Sequence, residues 1–403
     1  MQLNRIAKGN SSPRGRLPTV GVLLSSREQF SPYYGGALAR WTYEVYSRLA
    51  DRFDVTVFGY PTRAENLYNM SHRTSGVWRA CDLISPIPFL RRWDEPLWLR
   101  GLIKSLRGLD FIHIHNRPQW VGKLRRMGYE GAIWLHLHNN HVGHWSAATL
   151  DALAPQLQGV AVCSTFLRET FAARSPRLAA KTRLIFNGAN TQLFTPREEI
   201  REAKTIFFVG RFDAEKGVLQ LVRAYARVLD RHPDATLIIA GGSGWGVHRE
   251  TDYVREVREL AQSLVNYRKA RIHFPGYIHH DRDLPSWFQR ATVFASPSMF
   301  QEPFGLVNVE AMACATPVVG SNRGGIPEVL GDAGIVVDPE DVEGFAGALS
   351  SLLESADYRA SLGRAAYLRC RKMFDWDIIA QGWALSLEDS NRLTSIPGNA
   401  KPQ

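Results

Sequence analysis

Two basic residues and two acids carry the strongest chemical signal in the chain. Arg211 and Lys216 stand five residues apart in Gly210-Arg-Phe-Asp-Ala-Glu-Lys-Gly217, which follows an apolar run and opens a helical pattern. At a strand-to-helix turn, two such side chains can converge on a phosphate, and the open amides of the helix start favour the same anion. Glu302 and Glu310 lie in Ser296-Pro-Ser-Met-Phe-Gln-Glu-Pro-Phe-Gly-Leu-Val-Asn-Val-Glu-Ala-Met-Ala-Cys-Ala-Thr-Pro-Val-Val-Gly320. The pattern predicts a strand ending at Phe294-Ala295, a loop turning at Pro303-Phe304-Gly305, and a helix from about Leu306 to Ala315 ended by Pro317. Glu310 lies one turn into that helix, among Val307, Ala311 and Ala313. A carboxylate in such surroundings needs a hydrogen-bond donor, and two ribose hydroxyls would suit it. Glu302 precedes the helix, where it can face a second part of the same ligand. Gly305 lets the backbone approach a ligand above the helix start.

Other residues carry weaker signals. Six of the twelve histidines, His113, His115, His136, His138, His141 and His144, fall in one short stretch. Zinc would want cysteines or more carboxylates than Asp110 and Glu130 nearby. A neutral histidine at a strand end could instead position hydroxyls or stabilise charge; His138, just past its strand, is the first choice and His136 the alternative. Asp281-Arg-Asp283 and Asp375-Trp-Asp377 could each hold a divalent metal, but both read as ordinary caps at helix starts. Gly35-Gly36, between the first strand and first helix, permits close approach to a ligand or simply makes a tight turn. No GxxxxGK[ST] occurs, and Gly241-Gly-Ser-Gly244 lacks the full GxGxxG, which counts against nucleotide hydrolysis by a P-loop and against a dehydrogenase.

These residues need a scaffold, and the chain spells one out. Apolar strand-like runs alternate with helical ones, beginning with Thr19–Leu24, Ala37–Leu49 and Phe53–Phe58. A second series opens at Lys204–Gly210 and continues with the helix Val218–Arg231 and the strand Ala235–Ala240. Such alternation means parallel sheets with helices on both faces. The fold class is therefore α/β, with two doubly wound Rossmann-like domains joined near residues 188–203. Ligands bind beyond the carboxyl ends of such sheets, so the chemistry is expected in a cleft between the two. The boundaries read as 17–190 for the first domain and 191–373 for the second, with 374–392 a final helix. Residues 1–16 and 394–403 read as disordered.

At 403 residues the chain is long for a single core. Composition, 45% hydrophobic and 22% charged, is that of a globular protein, and no run of 18 apolar residues exists to span a bilayer. Met1–Arg16 is polar and basic, unlike a secretory signal. Cys81, Cys163, Cys314 and Cys370 form no CxxC pair, which fits a reduced, cytoplasmic compartment. Residues 1–190 hold 25 Lys and Arg against 12 Asp and Glu, a balance of +13, whereas residues 191–403 hold 24 against 27. Arg91, Arg92, Arg100, Lys104, Arg107, Lys123, Arg125 and Arg126 suggest a basic surface. An anionic membrane face suits it better than nucleic acid, for which no module signature is present.

Taken together, the chain resembles the retaining GT-B glycosyltransferases of family GT4. The resemblance rests on Glu302-Pro-Phe-Gly-Leu-Val-Asn-Val-Glu310 as an E-x7-E motif, followed by Ala311-Met-Ala and Thr316-Pro-Val-Val. Gly210-Arg211 with Lys216-Gly217, Asn187-Gly188 with Phe194, and Gly324-Gly-Ile-Pro-Glu328 stand in family order, and the match spans most of residues 17–385. His113-Ile-His-Asn-Arg-Pro118 and Leu137-His-Asn-Asn140 resemble the subgroup with bacterial spore-coat and exopolysaccharide enzymes.

The resemblance implies roles by position. Arg211 and Lys216 would bind the donor diphosphate, Glu310 the ribose, and Glu302 the donor sugar. The amides around Phe304, Gly305 and Leu306 would bind phosphate or sugar. His138 would lie near the anomeric centre, Gly36 near the diphosphate, and Tyr277-Ile278 at the base. The final helix would cross back onto the first domain. The implied reaction is metal-independent transfer with retention, from a nucleotide sugar, with UDP-sugar the expected donor, to a saccharide or lipid-linked acceptor in cell-surface glycan synthesis. No cofactor is expected, and the enzyme would be cytoplasmic, peripheral at the inner membrane face. An epimerase or inverting transferase, and a non-catalytic membrane or nucleic-acid binder, are the alternatives.

Overall fold

A computed structural model describes residues 16–25, 28–32, 35–60, 67–68, 91–242 and 251–394. Cys81, Ser243, Gly244, the stretch 1–15, the tail 395–403, and the side chains of Arg91 and Arg92 lie outside the described residues. Twelve strands form in the described chain. The first six are β1 (Thr19–Leu23), β2 (Asp54–Phe58), β3 (Phe111–His115), β4 (Ala132–Leu137), β5 (Gly159–Val162) and β6 (Thr182–Leu184). The other six are β7 (Thr205–Arg211), β8 (Thr236–Gly242), β9 (Arg271–Gly276), β10 (Val293–Ser296), β11 (Val318–Ser321) and β12 (Ile335–Val337). They make two six-stranded sheets, ordered β2-β1-β3-β4-β5-β6 and β12-β11-β10-β7-β8-β9. Both are parallel in every pairing described. The expected α/β architecture of two doubly wound sheets is borne out.

Continuous apolar runs such as Val20–Leu24 and Leu237–Ala240 are buried throughout, as strands covered on both faces must be. The helix Val218–Arg231 occupies the expected residues and buries Val218, Leu221, Val222, Tyr225 and Val228 along one stripe against the second sheet. The expected boundaries are met to within two residues, and one difference has a visible physical reason. The helix Leu306–Ala313 stops two residues early. Ala315 turns left-handed (φ 54°) and the Thr316 N–H donates to Ala311 O, which turns the chain into β11 ahead of Pro317. Just beyond β6, the Phe186 ring packs against Phe304 and Phe374.

The chain divides into two compact units. Of the described residues, one holds those up to His115 together with Gln119–Trp134, and the other holds Asn116–Pro118 and those from Leu135 onward. In the first unit His113 and His115 are core residues beneath the helix Ala37–Ser47. Tyr46 Oη lies 2.9 Å from His113 Nδ1, and Thr42 Oγ1 lies 3.4 Å from His115 Nε2. Arg125 leaves the expected basic patch, because its guanidinium donates to the carbonyls of Tyr129 and Gly131 at 2.8 Å. Arg100, Lys123 and Arg126 flank an apolar groove with Pro96, Leu97, Leu99 and Met127, in which Leu97 is 42% exposed. No described helix is long and apolar enough to cross a membrane. The three described cysteines are buried free thiols.

Candidate active site

In the second sheet the strand order runs outward from β7 in one direction and from β10 in the other, so the topological switch falls between these two. Ligands of doubly wound sheets sit outside the carboxyl ends of the strands at such a point. Arg211 ends β7, the loop that follows carries Lys216, and the loop leaving β10 carries Glu302.

The two loops are clasped by backbone bonds. Met299 N–H donates to Glu215 O at 2.8 Å, and Lys216 N–H is capped by Asp213 Oδ1 at 3.1 Å. The Lys216 ammonium meets Glu302 Oε2 and sits 4.8 Å from the centre of the Phe300 ring. One expected cation therefore pairs with one expected acid across 86 positions of sequence. Arg211 is half-exposed and bridges Asp213 (2.7 Å) and Glu215 (3.2 Å). Both cations are thus positioned by carboxylates on these two loops.

Glu302 is held from behind. Gly325 N–H donates to Glu302 O at 2.7 Å, and a Cβ on Gly324 would fall 2.1 Å from the same oxygen. Gly324 also has φ +62°, so only glycine fits there. Glu328 of the same segment faces elsewhere, accepting from Thr165 N–H and Oγ1, both at 2.7 Å. Gly305 begins the helix Leu306–Ala313 in the left-handed region (φ +83°), with the buried Asn308 carboxamide against it. The first amides of a helix have no acceptor within it, and they start here beside Glu302. The Phe304 ring is 2% exposed and packed against Phe374, so only its backbone can serve a ligand.

His138 and His136 differ in setting. His136 is fully buried, stacked between His138 at 3.9 Å and Trp383 of the final helix at 6.0 Å. His138 lies at the end of that stack, with Nδ1 3.0 Å from Asn187 Oδ1. Burial lowers its pKa to about 3, against which the Asn187 bond works. His138 is therefore neutral, donating through Nδ1 and keeping the Nε2 lone pair. The Cys163 Sγ links it to the acidic loop, lying 3.7 Å from His138 O and 3.9 Å from Pro303 O. Burial pushes that thiol up, and the carboxylates of Glu302 and Glu328 act in the same direction.

Glu310 is buried, as its apolar helix requires, and its donor is a residue that sequence reasoning passed over. His280 Nε2 lies 2.6 Å from Glu310 Oε1. The signal available was the pair His279-His280 beside Asp281 and a buried acid in need of a donor. Of the Asp281/Asp283 pair, Asp281 binds His280 Nδ1 (2.7 Å) and Asp283 binds Arg282 (2.8 Å), so Asp283 does not cap its helix with its side chain. Asp375 does cap, accepting from Asp377 N–H, and also takes the Thr191 hydroxyl. After β9, Tyr277 is 67% exposed and Ile278 nearly buried. Gly36 lies in the first unit at the start of the helix Ala37–Ser47, its N–H donating to Glu28 Oε1 at 2.7 Å.

The description "Glycosyl transferases group 1" matches residues 191–369, and "Glycosyltransferase Family 4" matches residues 34–193. Spore coat protein SA of Bacillus subtilis (strain 168) is 28% identical, over 93% of this chain and all of its own. Alpha-maltose-1-phosphate synthase of Mycolicibacterium smegmatis is 33% identical, over 89% of this chain and 97% of its own. Among solved structures, Anabaena Alr3699/HepE in complex with UDP-glucose shares the fold with a TM-score of 0.70 at 21% identity, covering 92% of this chain and 99% of that one.

Proposed function

The chain belongs to the group 1 glycosyl transferases, glycosyltransferase family 4, and from that premise we propose how it works. It transfers a sugar from a UDP-sugar to a saccharide or lipid-linked acceptor, with retention of configuration and without a metal ion. The observation that carries this reading is the Lys216–Glu302 pair beside an open helix start at the β7/β10 switch. An incoming diphosphate is a stronger anion than one carboxylate. It takes the Lys216 ammonium and the Arg211 guanidinium and rests against the amides of Gly305 and Leu306. Those cations fill the charge-neutralising role a divalent metal would otherwise supply. The solved relative bound to UDP-glucose supports UDP as the nucleotide.

The reaction then follows from placement. The C1–O bond to the diphosphate breaks as Lys216 and Arg211 take up the growing charge on the leaving oxygen. The acceptor hydroxyl attacks C1 from the same face and passes its proton to that oxygen. Glu302, released from Lys216, holds the donor sugar, and Glu310 holds the ribose. Neutral His138 lies at the sugar end without adding a charge. A double displacement would need a free carboxylate on the opposite face of the sugar, and none of these residues is assigned there.

The test is to incubate the enzyme with a panel of UDP-sugars and acceptors and read the new linkage by anomeric NMR. An α-configured donor is expected to give an α-linked product at the first time point. A β-linked product would move the protein to the inverting class, and a changed free nucleotide sugar would make it an epimerase.

We further propose that the first unit docks on an anionic membrane, where a lipid-linked acceptor would be presented. The exposed Leu97 beside Arg100, Lys123 and Arg126 supports it, since an apolar edge ringed by cations suits acidic headgroups. The protein is expected to sediment with phosphatidylglycerol vesicles, not with neutral ones, and R100E/K123E/R126E to abolish this. Equal sedimentation of wild type and triple variant would sink the proposal.

A further inference from the structure

The geometry points to His280 as a positioning residue for the nucleotide ribose. This inference rests on the proposed contact between Glu310 and the ribose hydroxyls, and it adds a device no feature of the E-x7-E motif encodes. His280 stands between two carboxylates, with Nδ1 2.7 Å from Asp281 Oδ1 and Nε2 2.6 Å from Glu310 Oε1. A neutral imidazole has one N–H and one lone pair, so it can satisfy only one of these oxygens. A ring that donates to both is an imidazolium, and both distances suit charge-assisted bonds.

The ring is also fixed in space. The Phe194 ring, 1% exposed, meets it edge-to-face at 5.3 Å. Phe194 lies just after the Asn187-Gly188 turn, so this contact gives a physical reason for an aromatic residue at that position. The neighbouring charges are engaged elsewhere, because Arg282 pairs with Asp283 and its N–H donates to His279 Nδ1. Asp281 meets one face of the imidazole edge and Glu310 the other.

The consequence concerns Glu310. Its carboxylate is 5% exposed on a helix of small apolar residues, where an uncompensated charge would be costly. The imidazolium supplies its donor and anchors Oε1, and no donor reaches Oε2 among the described residues. A carboxylate held by one oxygen presents the other in a fixed direction, which is what recognition of a vicinal diol requires. The ribose then binds a preset acceptor instead of having to order it.

Asparagine and glutamine separate this role from plain packing. The Asn amide nitrogen reproduces the position of Nδ1 and keeps the Asp281 bond; the Gln amide nitrogen reproduces Nε2 and keeps the Glu310 bond. Binding of UDP and of 2′,3′-dideoxy-UDP is measured by calorimetry for wild type, His280→Asn, His280→Gln and Glu310→Ala. Wild type is expected to prefer UDP. His280→Asn is expected to lose most of that preference, roughly tenfold, with donor KM raised and kcat nearly kept, whereas His280→Gln retains it. If His280→Asn keeps the full preference, or the two variants fall alike, His280 does not position the ribose acceptor. If Glu310→Ala keeps the preference, the ribose contact itself is wrong, a result distinct from either.

Discussion

Replacing Lys216 with alanine is expected to lower turnover by about 10²–10³-fold, the scale of removing one preorganised charge from a transition state. The backbone should survive, because Asp213 caps the Lys216 N–H and the 214–216 turn without help from the ammonium. The cost to the fold lies in Glu302, whose side chain is 17% exposed and loses its ion partner. An uncompensated, largely buried carboxylate destabilises, though solvent reaches both partners and discounts the effect. The double variant Lys216→Ala/Glu302→Gln separates the two consequences. Its melting temperature should recover toward wild type while its turnover stays low. Wild-type turnover in the single variant, measured at saturating donor, would remove Lys216 from the leaving-group site.

Glu310→Ala should act on binding first. A hydrogen bond to a charged group contributes about 1.5–3 kcal/mol. Losing even one ribose contact then weakens UDP by about 10- to 100-fold. The ribose is remote from the anomeric carbon, so the loss falls on donor KM more than on kcat. Glu310→Gln keeps the shape of the side chain and should show most of the same loss if charge is what matters. Unchanged UDP affinity by calorimetry in both variants would end the ribose assignment. A folded control comes from the aromatic cluster around Phe304, which lies outside this change.

Much of this site could be read from the chain alone, for reasons of range. Strand and helix periodicity is a local property, so Val218–Arg231 was legible residue for residue. The E-x7-E spacing is equally local: one helix start sets where Glu302 and Glu310 stand. Charge on a strand-to-helix turn placed Arg211 and Lys216 at the mouth of a sheet. A boundary shifted at the end of the helix Leu306–Ala313, where Ala315 turns left-handed and the Thr316 N–H returns to Ala311 O.

Composition and periodicity by themselves determined an α/β chain with two series of parallel strands, and motif spacing marked which loops bear charge. Only the tertiary structure decided how those charges pair. Lys216 meets Glu302 across 86 positions, His280 meets Glu310 across 30, and Glu328 turns to Thr165 across 163. Arg125 looked like surface charge and proved to serve two carbonyls. A side chain's partner depends on which strand lies beside which, and the order β12-β11-β10-β7-β8-β9 reverses the chain at its middle. No local pattern carries that reversal, because it arises from the helices packing on both faces of a twisted sheet.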